Sequence, residues 1–347
     1  MKTAAIPVFK LQLHLLSRSV ARLPYFAELM KPRVMTLAVF TALVGMIAAP
    51  ARLDALPAVV AVMAITAGAG AAGVLNMWCD ADVDAIMTRT AMRPIPRGKV
   101  SQIEALIFGT ALAICAVAAL AFAANVAAAA LLAGAIFFYV VVYTAWLKRY
   151  TRQNIVIGGA AGALPPVIGW VAVSGDISPE PLTLFLIIFF WTPPHFWALA
   201  LNRADEYARA GIPMLPVVAG RAATTRQIMI YSMLLLPISE LPWMLGFTGR
   251  VYGATTLVCG AIFVALAARL ARSSAADRVA AHRLFAFSIA YLFVLFAALL
   301  IAGGANRESR ILFAPSAWAA SPSSQAEHRC RAIQTMCHAA ITEREEV

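Results

Sequence analysis

Nine long apolar segments limit what this chain can fold into more than any other feature. A helix that crosses a bilayer needs about 20 apolar residues, and an open strand cannot satisfy its backbone groups in lipid. A transmembrane barrel would show alternating segments of about ten residues, whereas these segments are unbroken. The sequence therefore predicts an all-α polytopic membrane protein with about nine transmembrane helices. The predicted spans are 34–50, 55–78, 103–122, 125–146, 154–173, 181–201, 227–247, 251–269 and 283–303.

Composition excludes the other broad classes of protein. Hydrophobic residues make up 62% of the chain and charged residues only 13%, whereas a soluble domain carries roughly 25% charged residues. A soluble fold of 347 residues could not cover this much apolar surface. A disordered chain would be far more polar, and five scattered cysteines form no disulfide framework.

Lysine and arginine are distributed unevenly between the two ends of the predicted helices. Of the 28 basic residues, 21 lie in the N-terminal segment and in every second loop after it. Cytoplasmic loops carry such an excess. We therefore predict a multi-pass protein of the bacterial cell inner membrane with a cytoplasmic N-terminus. This distribution also explains the net charge of +11, so nucleic acid is not an expected partner.

The two ends of the chain are assigned to regions outside the bundle. Residues 1–30 lack the apolar core and small-residue cleavage site of a signal peptide, and they are predicted to form a cytoplasmic lead-in. Residues 31–303 form the predicted nine-helix domain. Residues 304–347 form a polar C-terminal tail, whose His and Cys residues fit no standard zinc spacing.

The first polar element lies where the second span leaves the membrane. At about 100° per residue, Asn76, Asp80 and Asp84 lie on one helical face, and Asp82 points the opposite way. Three such side chains repel one another unless a cation lies between them. Hard oxygen ligands are what Mg²⁺ prefers, so Asn76, Asp80 and Asp84 are predicted to bind it. The alternative is a solvated acidic helix end.

Basic residues lie next to this acidic element on the same predicted side of the membrane. Arg89 and Arg93 follow it directly, and arginine binds phosphate through its bidentate guanidinium. Lys148 and Arg149, at the end of the fourth span, are within reach of the same site. All four are candidates for binding an anionic substrate. The alternative for each is an ordinary loop or helix-end charge.

The second polar element lies at the end of the sixth span. His195, Asn202 and Glu206 are separated by 7 and 4 residues, so they are predicted to share one helical face. Phe196 and Trp197 flank the histidine. This face predicts a functional histidine inside the membrane with a polar pair at its cytoplasmic edge. The alternative is a buried histidine that is simply hydrogen-bonded in the structure.

With these elements the chain resembles the heme O synthases (protoheme IX farnesyltransferases), a branch of the UbiA-type intramembrane prenyltransferases. The Asn-x-x-x-Asp-x-x-x-Asp element that begins at Asn76 marks the wider superfamily. A Pro-Pro-His-Phe-Trp run from Pro193 and an Ile-Pro-Met-Leu-Pro run from Ile212 point to the heme branch. The likeness covers about residues 25–303.

The resemblance implies a reaction and a role for each element. Farnesyl diphosphate would bind through Mg²⁺, and its C15 group would be transferred to a vinyl group of heme b with addition of water, giving heme O and diphosphate. Asp80 and Asp84 would be catalytic through the metal, with Arg89 and Arg93 neutralising the leaving group. His195 would bind the heme iron or orient the porphyrin. The cations have a second use, because they could bind the heme propionates.

The resemblance leaves further assignments open. Trp78, Phe196 and Trp197 are candidates for a π-rich wall beside the allylic cation. Superfamily members carry two aspartates in the second motif, where this chain has Asn202 and Glu206, which weakens the case for a second Mg²⁺. Heme O serves the terminal oxidases, so a heme A synthase or oxidase assembly factors are candidate partners.

Three other functions compete with heme farnesylation. The nearest is a UbiA-type enzyme that acts on an aromatic quinone precursor, which offers no iron for His195 to bind. A cation-coupled transporter would explain acidic residues near the membrane, but its charges should lie near the midplane. A structural subunit for respiratory assembly would leave the acidic face unexplained. No function is predicted for Glu240.

Overall fold

The computed structural model describes residues 22–274 and 277–312, with side chains described as far as residue 301. By its contacts the chain divides after Gly303. Most of the predicted lead-in and most of the predicted tail, with its His and Cys residues, lie outside the described residues. The helices are α1 (Arg22–Leu29), α2 (Pro32–Ala48), α3 (Ala55–Cys79), α4 (Ala81–Ile86), α5 (Gln102–Ala123), α6 (Val126–Phe137), a π-helix (Phe138–Leu147), α7 (Lys148–Tyr150), α8 (Asn154–Ala163), α9 (Pro165–Ser174), α10 (Pro179–Leu201), α11 (Ala204–Arg209), α12 (Leu215–Val218), α13 (Gly220–Met244), α14 (Arg250–Arg272) and α15 (Arg278–Leu312).

The all-α polytopic fold is confirmed, but the number of spans differs from the prediction. Within the described residues, seven helical segments are long and apolar enough to cross a membrane. They are Ala55–Cys79, Gln102–Ala123, Val126–Tyr150, Asn154–Ser174, Pro179–Leu201, Arg250–Arg272 and Arg278–Ile301. The pair α1 and α2, bent by 51°, adds an eighth. The predicted span 227–247 falls in α13, which is long enough but is interrupted by polar residues such as Ser232, Ser239 and Glu240.

A cavity of about 520 Å³ lies inside the bundle. Its wall comes from α2, α3, α6, the π-helix, α8, α9, α10 and α15, and most of the lining side chains are apolar. On α3, Gly68 and Ala72 line the cavity. Asn76 lies one helical turn beyond Ala72 on the same face, so the cavity leads toward the acidic element at the end of α3.

The π-helix Phe138–Leu147 contributes two tyrosines to the cavity wall. π-Helices are rare and are frequently found at functional sites. Tyr139 and Tyr143 line the cavity, and the Thr144 hydroxyl donates to the Tyr139 carbonyl oxygen at 2.7 Å.

Helices α2 and α9 pack through glycines at backbone distance. A Cβ atom on Gly45 would lie 2.1 Å from the Pro166 carbonyl oxygen, and one on Gly169 would lie 2.0 Å from the Ala42 carbonyl oxygen. Small residues allow membrane helices to approach this closely. One wall of the cavity is therefore held by two backbones in direct contact.

We expect Gly169→Ala to destabilise the protein by about 1–3 kcal/mol, because the added methyl group forces α2 and α9 apart. The midpoint of thermal unfolding in detergent should fall by several degrees. Size-exclusion chromatography of heated samples measures the fraction of protein that stays folded. Gly134→Ala is the matched control, since a Cβ there meets nothing within 4 Å. Equal midpoints for the two variants would contradict the packing argument.

Candidate active site

Two buried carboxylates form the centre of the polar cluster at the end of α3. Asp80 and Asp84 are 1% and 3% exposed. The helix is interrupted at Asp80, which caps α3 and precedes α4. The Asp84 amide still donates to the Asp80 carbonyl oxygen at 2.7 Å, so the two residues stay one turn apart. The predicted acidic pair is therefore buried rather than solvated.

Each buried carboxylate is paired with a cation from another part of the chain. Lys148 Nζ lies 2.6 Å from Asp80 Oδ2, and Arg93 Nη1 lies 2.6 Å from Asp84 Oδ2. A buried charge is costly unless it is paired. Lys148 and Arg93, both predicted from sequence as site residues, therefore neutralise the carboxylates directly.

Asn76 connects the carboxylates to the π-helix. Its Nδ2 donates to Asp80 Oδ2 and to Thr144 Oγ1, both at 2.9 Å. Its Oδ1 accepts a hydrogen bond from Lys31 Nζ. Because both ends of the amide are engaged, its orientation is fixed. Sequence reasoning did not find Thr144, which gives no signal within an apolar span.

Lys31 is a site residue that sequence reasoning missed. It lies at the bend between α1 and α2, and its φ of 54° makes it the only non-glycine residue with positive φ in the described part of the chain. Such strained backbone tends to occur at functional sites. The available signal was a lysine immediately before a proline at the start of an apolar run, but nothing in that signal points to Asn76.

The donor set at the acidic cluster suits a hard cation. Asp80 Oδ1 is buried and has no hydrogen-bond partner, while the ion pairs with Lys148 and Arg93 use only one oxygen of each carboxylate. Among the described residues, no group of three or more His, Cys, Asp or Glu side chains could hold a metal ion. Mg²⁺ commonly takes one or two carboxylates and completes its shell with water and phosphate oxygens, so the residues present fit it. The magnesium site stays a prediction.

Arg149 and Arg89 lie apart from the buried pair. The Arg149 guanidinium donates to both carboxylate oxygens of Asp82 at 2.8 Å and to the Cys79 carbonyl oxygen at 2.8 Å. This pairing lowers the pKa of Asp82 below its ordinary value. Arg89 is exposed, but its charge acts on the Tyr207 phenol. Of the four predicted cations, Arg93 and Lys148 therefore contact the buried carboxylates in this structure.

The second polar element does not form the single helical face that its spacing predicted. Helix α10 ends at Leu201 and α11 begins at Ala204, so the register changes between His195 and Glu206. Asn202 Nδ2 donates to the Arg278 carbonyl oxygen at 3.0 Å, so its amide contacts the first residue of α15.

Glu206 lies on the same side of the bundle as Arg89 and Arg93. Its Oε1 lies 3.4 Å from Arg203 Nη1, and its Oε2 is buried without a partner. The adjacent Tyr207 is buried, and burial raises its pKa. The charges of Arg93 and Glu206 both act on this phenol, which places α11 near the loop that follows α4.

His195 lies deeper in the bundle and lines the cavity. Its ring is stacked between Trp191, with ring centroids 4.2 Å apart, and Phe285, with centroids 4.7 Å apart. Its Nδ1 lies 2.6 Å from Ser288 Oγ. The Nδ1 atom of His195 is therefore in a hydrogen bond, and an aromatic ring covers each of the two faces of the imidazole.

The predicted aromatic wall is only partly correct. Phe196 lines the cavity, but Trp197 is 2% exposed and packs against Tyr231 in the core. Trp78 packs against the small cluster around Leu29 instead. A 100° rotation per residue moves adjacent positions to different faces, which is why neighbours of a cavity residue need not share its surroundings.

Two tyrosines that sequence reasoning missed lie where the cavity approaches the acidic pair. The rings of Tyr139 and Tyr143 are stacked with centroids 5.5 Å apart and planes 25° apart. Both line the cavity. They are therefore better placed than Trp78 or Trp197 to contact a group at this end of the cavity.

Glu240 lies away from this cluster, between α13 and α14. The Thr256 hydroxyl donates to Glu240 Oε1 at 2.5 Å. This hydrogen bond explains how a carboxyl group is accommodated between α13 and α14. Glu240 contacts neither the acidic pair nor His195.

Comparison with known proteins defines the class to which this fold and site belong. Residues 38–290 match the UbiA prenyltransferase family, and the chain belongs to that family. It is 58% identical to a protoheme IX farnesyltransferase of Rhodopseudomonas palustris over 278 residues, which cover 80% of this chain and 89% of the relative. It is 56% identical to protoheme IX farnesyltransferase 2 of Mesorhizobium japonicum, with 79% and 88% coverage. The predicted membership is confirmed.

Solved structures support the same fold at lower sequence identity. A digeranylgeranylglyceryl phosphate synthase matches with a TM-score of 0.68 and 19% identity, covering 82% of this chain and 99% of that one. A UbiA homolog from Archaeoglobus fulgidus, solved with DMAPP and Mg²⁺ bound, matches with a TM-score of 0.61 and 18% identity, covering 78% and 99%. The chain is thus a multi-pass integral membrane protein with the UbiA fold.

Proposed function

We propose that this protein transfers the farnesyl group of farnesyl diphosphate to a vinyl group of heme b, with addition of water, to give heme O and diphosphate. Relatives at 56–58% identity carry the name protoheme IX farnesyltransferase, and the aligned segment covers about 80% of the chain. The reaction suits a site that combines phosphate-binding cations with an apolar cavity.

The observation that carries this proposal is the continuity between the charged cluster and the cavity. The α3 face that lines the cavity at Gly68 and Ala72 continues to Asn76 and Asp80. A prenyl diphosphate has the same division, with a charged head and an apolar chain. Its head would lie against the ion pairs and its C15 chain in the cavity of about 520 Å³.

The cations that now pair with the carboxylates would also bind the diphosphate. Mg²⁺, when bound through Asp80, Asp84 and Asn76, supplies positive charge that neutralises the leaving diphosphate. Lys148 and Arg93 already lie beside these carboxylates, so they can donate to phosphate oxygens without crossing the site. Fixed donors aimed at a developing charge stabilise it without reorganisation.

The cavity wall would serve the allylic cation and its acceptor. As the C1–O bond of farnesyl diphosphate breaks, a new bond forms between C1 and the terminal vinyl carbon of heme b. The π faces of Tyr139 and Tyr143 stabilise nearby positive charge. The cation left on the other vinyl carbon takes the oxygen of water and releases one proton, so the products are heme O, diphosphate and a proton.

His195 would orient the second substrate. It lies on the cavity wall with its Nδ1 hydrogen-bonded and its Nε2 without a hydrogen-bond partner among the described residues. An imidazole nitrogen in this position is a suitable axial ligand for heme iron. Arg89, Arg149, Asn202 and Glu206 lie on the side of the bundle where heme propionates would meet water, so they remain candidates for that end of the heme.

The deciding experiment supplies membranes containing the protein with heme b, farnesyl diphosphate and Mg²⁺. Extracted heme is separated by liquid chromatography and identified by mass spectrometry. We expect a heavier, more apolar heme that is absent when EDTA is added. If verified intact protein yields no new heme, an aromatic quinone precursor should be tried as the acceptor. Failure there as well would favour a cation-coupled transporter.

We expect Lys31→Ala to raise the KM for farnesyl diphosphate about 10- to 100-fold, because the charge-assisted hydrogen bond that holds Asn76, of roughly 1.5–3 kcal/mol, is lost. The KM for heme b should change much less. Initial rates at varied concentrations of each substrate measure both values. Lys99→Ala serves as the control, because it removes an exposed lysine on the same predicted side of the membrane. If both substitutions change the KM for farnesyl diphosphate equally, Lys31 has no role in binding it.

A further inference from the structure

The geometry points to Ser288 as a positioning residue that holds His195 in one tautomer, with the proton on Nδ1 and the lone pair of Nε2 free. This inference rests on the proposed function, because it assigns how the heme-orienting histidine is prepared. The two residues are 93 positions apart, on α10 and α15. Neither the family motifs nor the polar residues singled out from the sequence include Ser288.

The tautomer follows from counting protons around the serine hydroxyl. Ser288 Oγ lies 2.6 Å from His195 Nδ1 and 2.6 Å from the Phe285 carbonyl oxygen. A hydroxyl has one proton, and a carbonyl oxygen has none to give. The hydroxyl must therefore donate to Phe285, because two oxygens at 2.6 Å without a proton between them would repel. The proton in the other contact then belongs to Nδ1.

The surrounding contacts fix the ring as well as its proton. Trp191 Nε1 donates to the Ser288 carbonyl oxygen at 2.7 Å, so the same serine joins α10 and α15 through both its main chain and its side chain. Trp191 and Phe285 cover the two faces of the imidazole. Ser288 itself is 0% exposed. Rotation of the imidazole would break the Ser288 contact and displace two packed rings.

The result is a histidine prepared for one kind of ligand. With Nδ1 protonated, Nε2 is the only ring nitrogen with a lone pair available. Since His195 lines the cavity, this lone pair is available to a metal centre entering there. Histidines that bind metals commonly donate their other N–H to an outer group, and that group sets the tautomer and the ring orientation. Ser288 would fill this role toward heme iron.

The test follows heme binding directly, in purified protein held in lipid nanodiscs without farnesyl diphosphate. Ferric heme b is titrated, and the Soret band reports both the affinity and the ligation of the iron. Wild-type protein should give a histidine-ligated spectrum that His195→Ala abolishes. Ser288→Ala should weaken heme binding by on the order of tenfold and shift the Soret band toward the His195→Ala spectrum. Ser288→Thr, which keeps the hydroxyl, should restore both.

Ser232→Ala is the matched control, because Ser232 is also buried and its hydroxyl donates to a carbonyl of its own helix, at 2.6 Å from Ile228. It should leave the heme spectrum unchanged. In turnover, Ser288→Ala should raise the KM for heme b and leave the KM for farnesyl diphosphate unchanged.

The outcomes separate the inference from the proposed function. A normal affinity and spectrum for Ser288→Ala, alongside a spectrum lost in His195→Ala, would overturn the role of Ser288 alone. A wild-type spectrum that does not depend on His195, in protein that still forms heme O, would overturn iron ligation and with it the tautomer argument. Absence of both heme binding and heme O would overturn the proposed function itself.

Discussion

Asp84→Asn and Asp80→Asn should each lower heme farnesylation by on the order of a thousandfold. Each substitution removes a negative charge that would hold the proposed Mg²⁺ and that balances a partly buried cation, Arg93 for Asp84 and Lys148 for Asp80. The side chain keeps its size, so packing is preserved. Initial rates in membranes, normalised to the amount of protein by immunoblot, measure the loss.

Asp82→Asn is the control for these two substitutions. Asp82 belongs to the same acidic run, but its side chain is 63% exposed and pairs with Arg149 on the surface. An exposed ion pair contributes little to stability, so this variant should retain activity close to that of the wild type. Near-normal turnover in Asp80→Asn or Asp84→Asn, or a large loss in Asp82→Asn, would sink the assignment of the buried pair.

His195→Ala should impair the use of heme b far more than the use of farnesyl diphosphate. The histidine lies in the aromatic part of the cavity and makes no hydrogen bond to Asp80 or Asp84. We expect the KM for heme b to rise about 10- to 100-fold, while the KM for farnesyl diphosphate stays within about twofold, since charge-assisted contacts to the diphosphate are unchanged.

The control for His195→Ala is Phe196→Ala, which also shortens an aromatic side chain on the cavity wall but removes no nitrogen. It should alter both KM values to a similar, smaller extent. If His195→Ala instead raises the KM for both substrates equally, then the histidine only supports the packing of α10 against α15. A thermal unfolding midpoint measured for both variants identifies a general loss of structure.

The helices could be predicted from sequence because each depends on a local property, the length of an apolar segment. Helix α13 shows that the length of an apolar segment is not always sufficient. Helix α13 (Gly220–Met244) is as long as α3, yet Glu240 and two serines lower its apolar character. In the structure these polar groups are satisfied, with Glu240 bonded to Thr256 and Ser239 to Tyr291. Such partners lie on other helices and leave no local trace.

The site was predictable where its residues carry charge and follow a helical period. Asp80 and Asp84 satisfy both conditions, and Arg93 and Lys148 satisfy the first. Of the residues that were missed, Thr144 and Ser288 meet neither condition. Lys31 carries a charge, but it lies 45 residues before Asn76, at the start of another apolar segment. Ser288 is one small hydroxyl in an apolar span. The second polar element failed for a different reason, since the helix ends at Leu201, and a helical period has no meaning across that break.

Tyr139 and Tyr143 were missed for another reason, since a tyrosine is an ordinary residue in an apolar span. They continue the cavity face that Leu132, Ala135 and Ile136 begin on α6, and this spacing fits 3.6 residues per turn. The period therefore groups the two tyrosines correctly, but it does not show that their face borders a cavity. Only the packing of the other helices shows that.

The glycine contacts between α2 and α9 determine where the cavity can widen for a porphyrin. Two backbones in van der Waals contact through Gly45 and Gly169 leave no side chain to rotate. Elsewhere α2 meets α15 through the stacked rings of Phe40 and Phe293, 4.9 Å apart, and the Phe293 side chain is 52% exposed. Any widening for a porphyrin would therefore be expected between α2 and α15, where side chains separate the backbones, and not between α2 and α9.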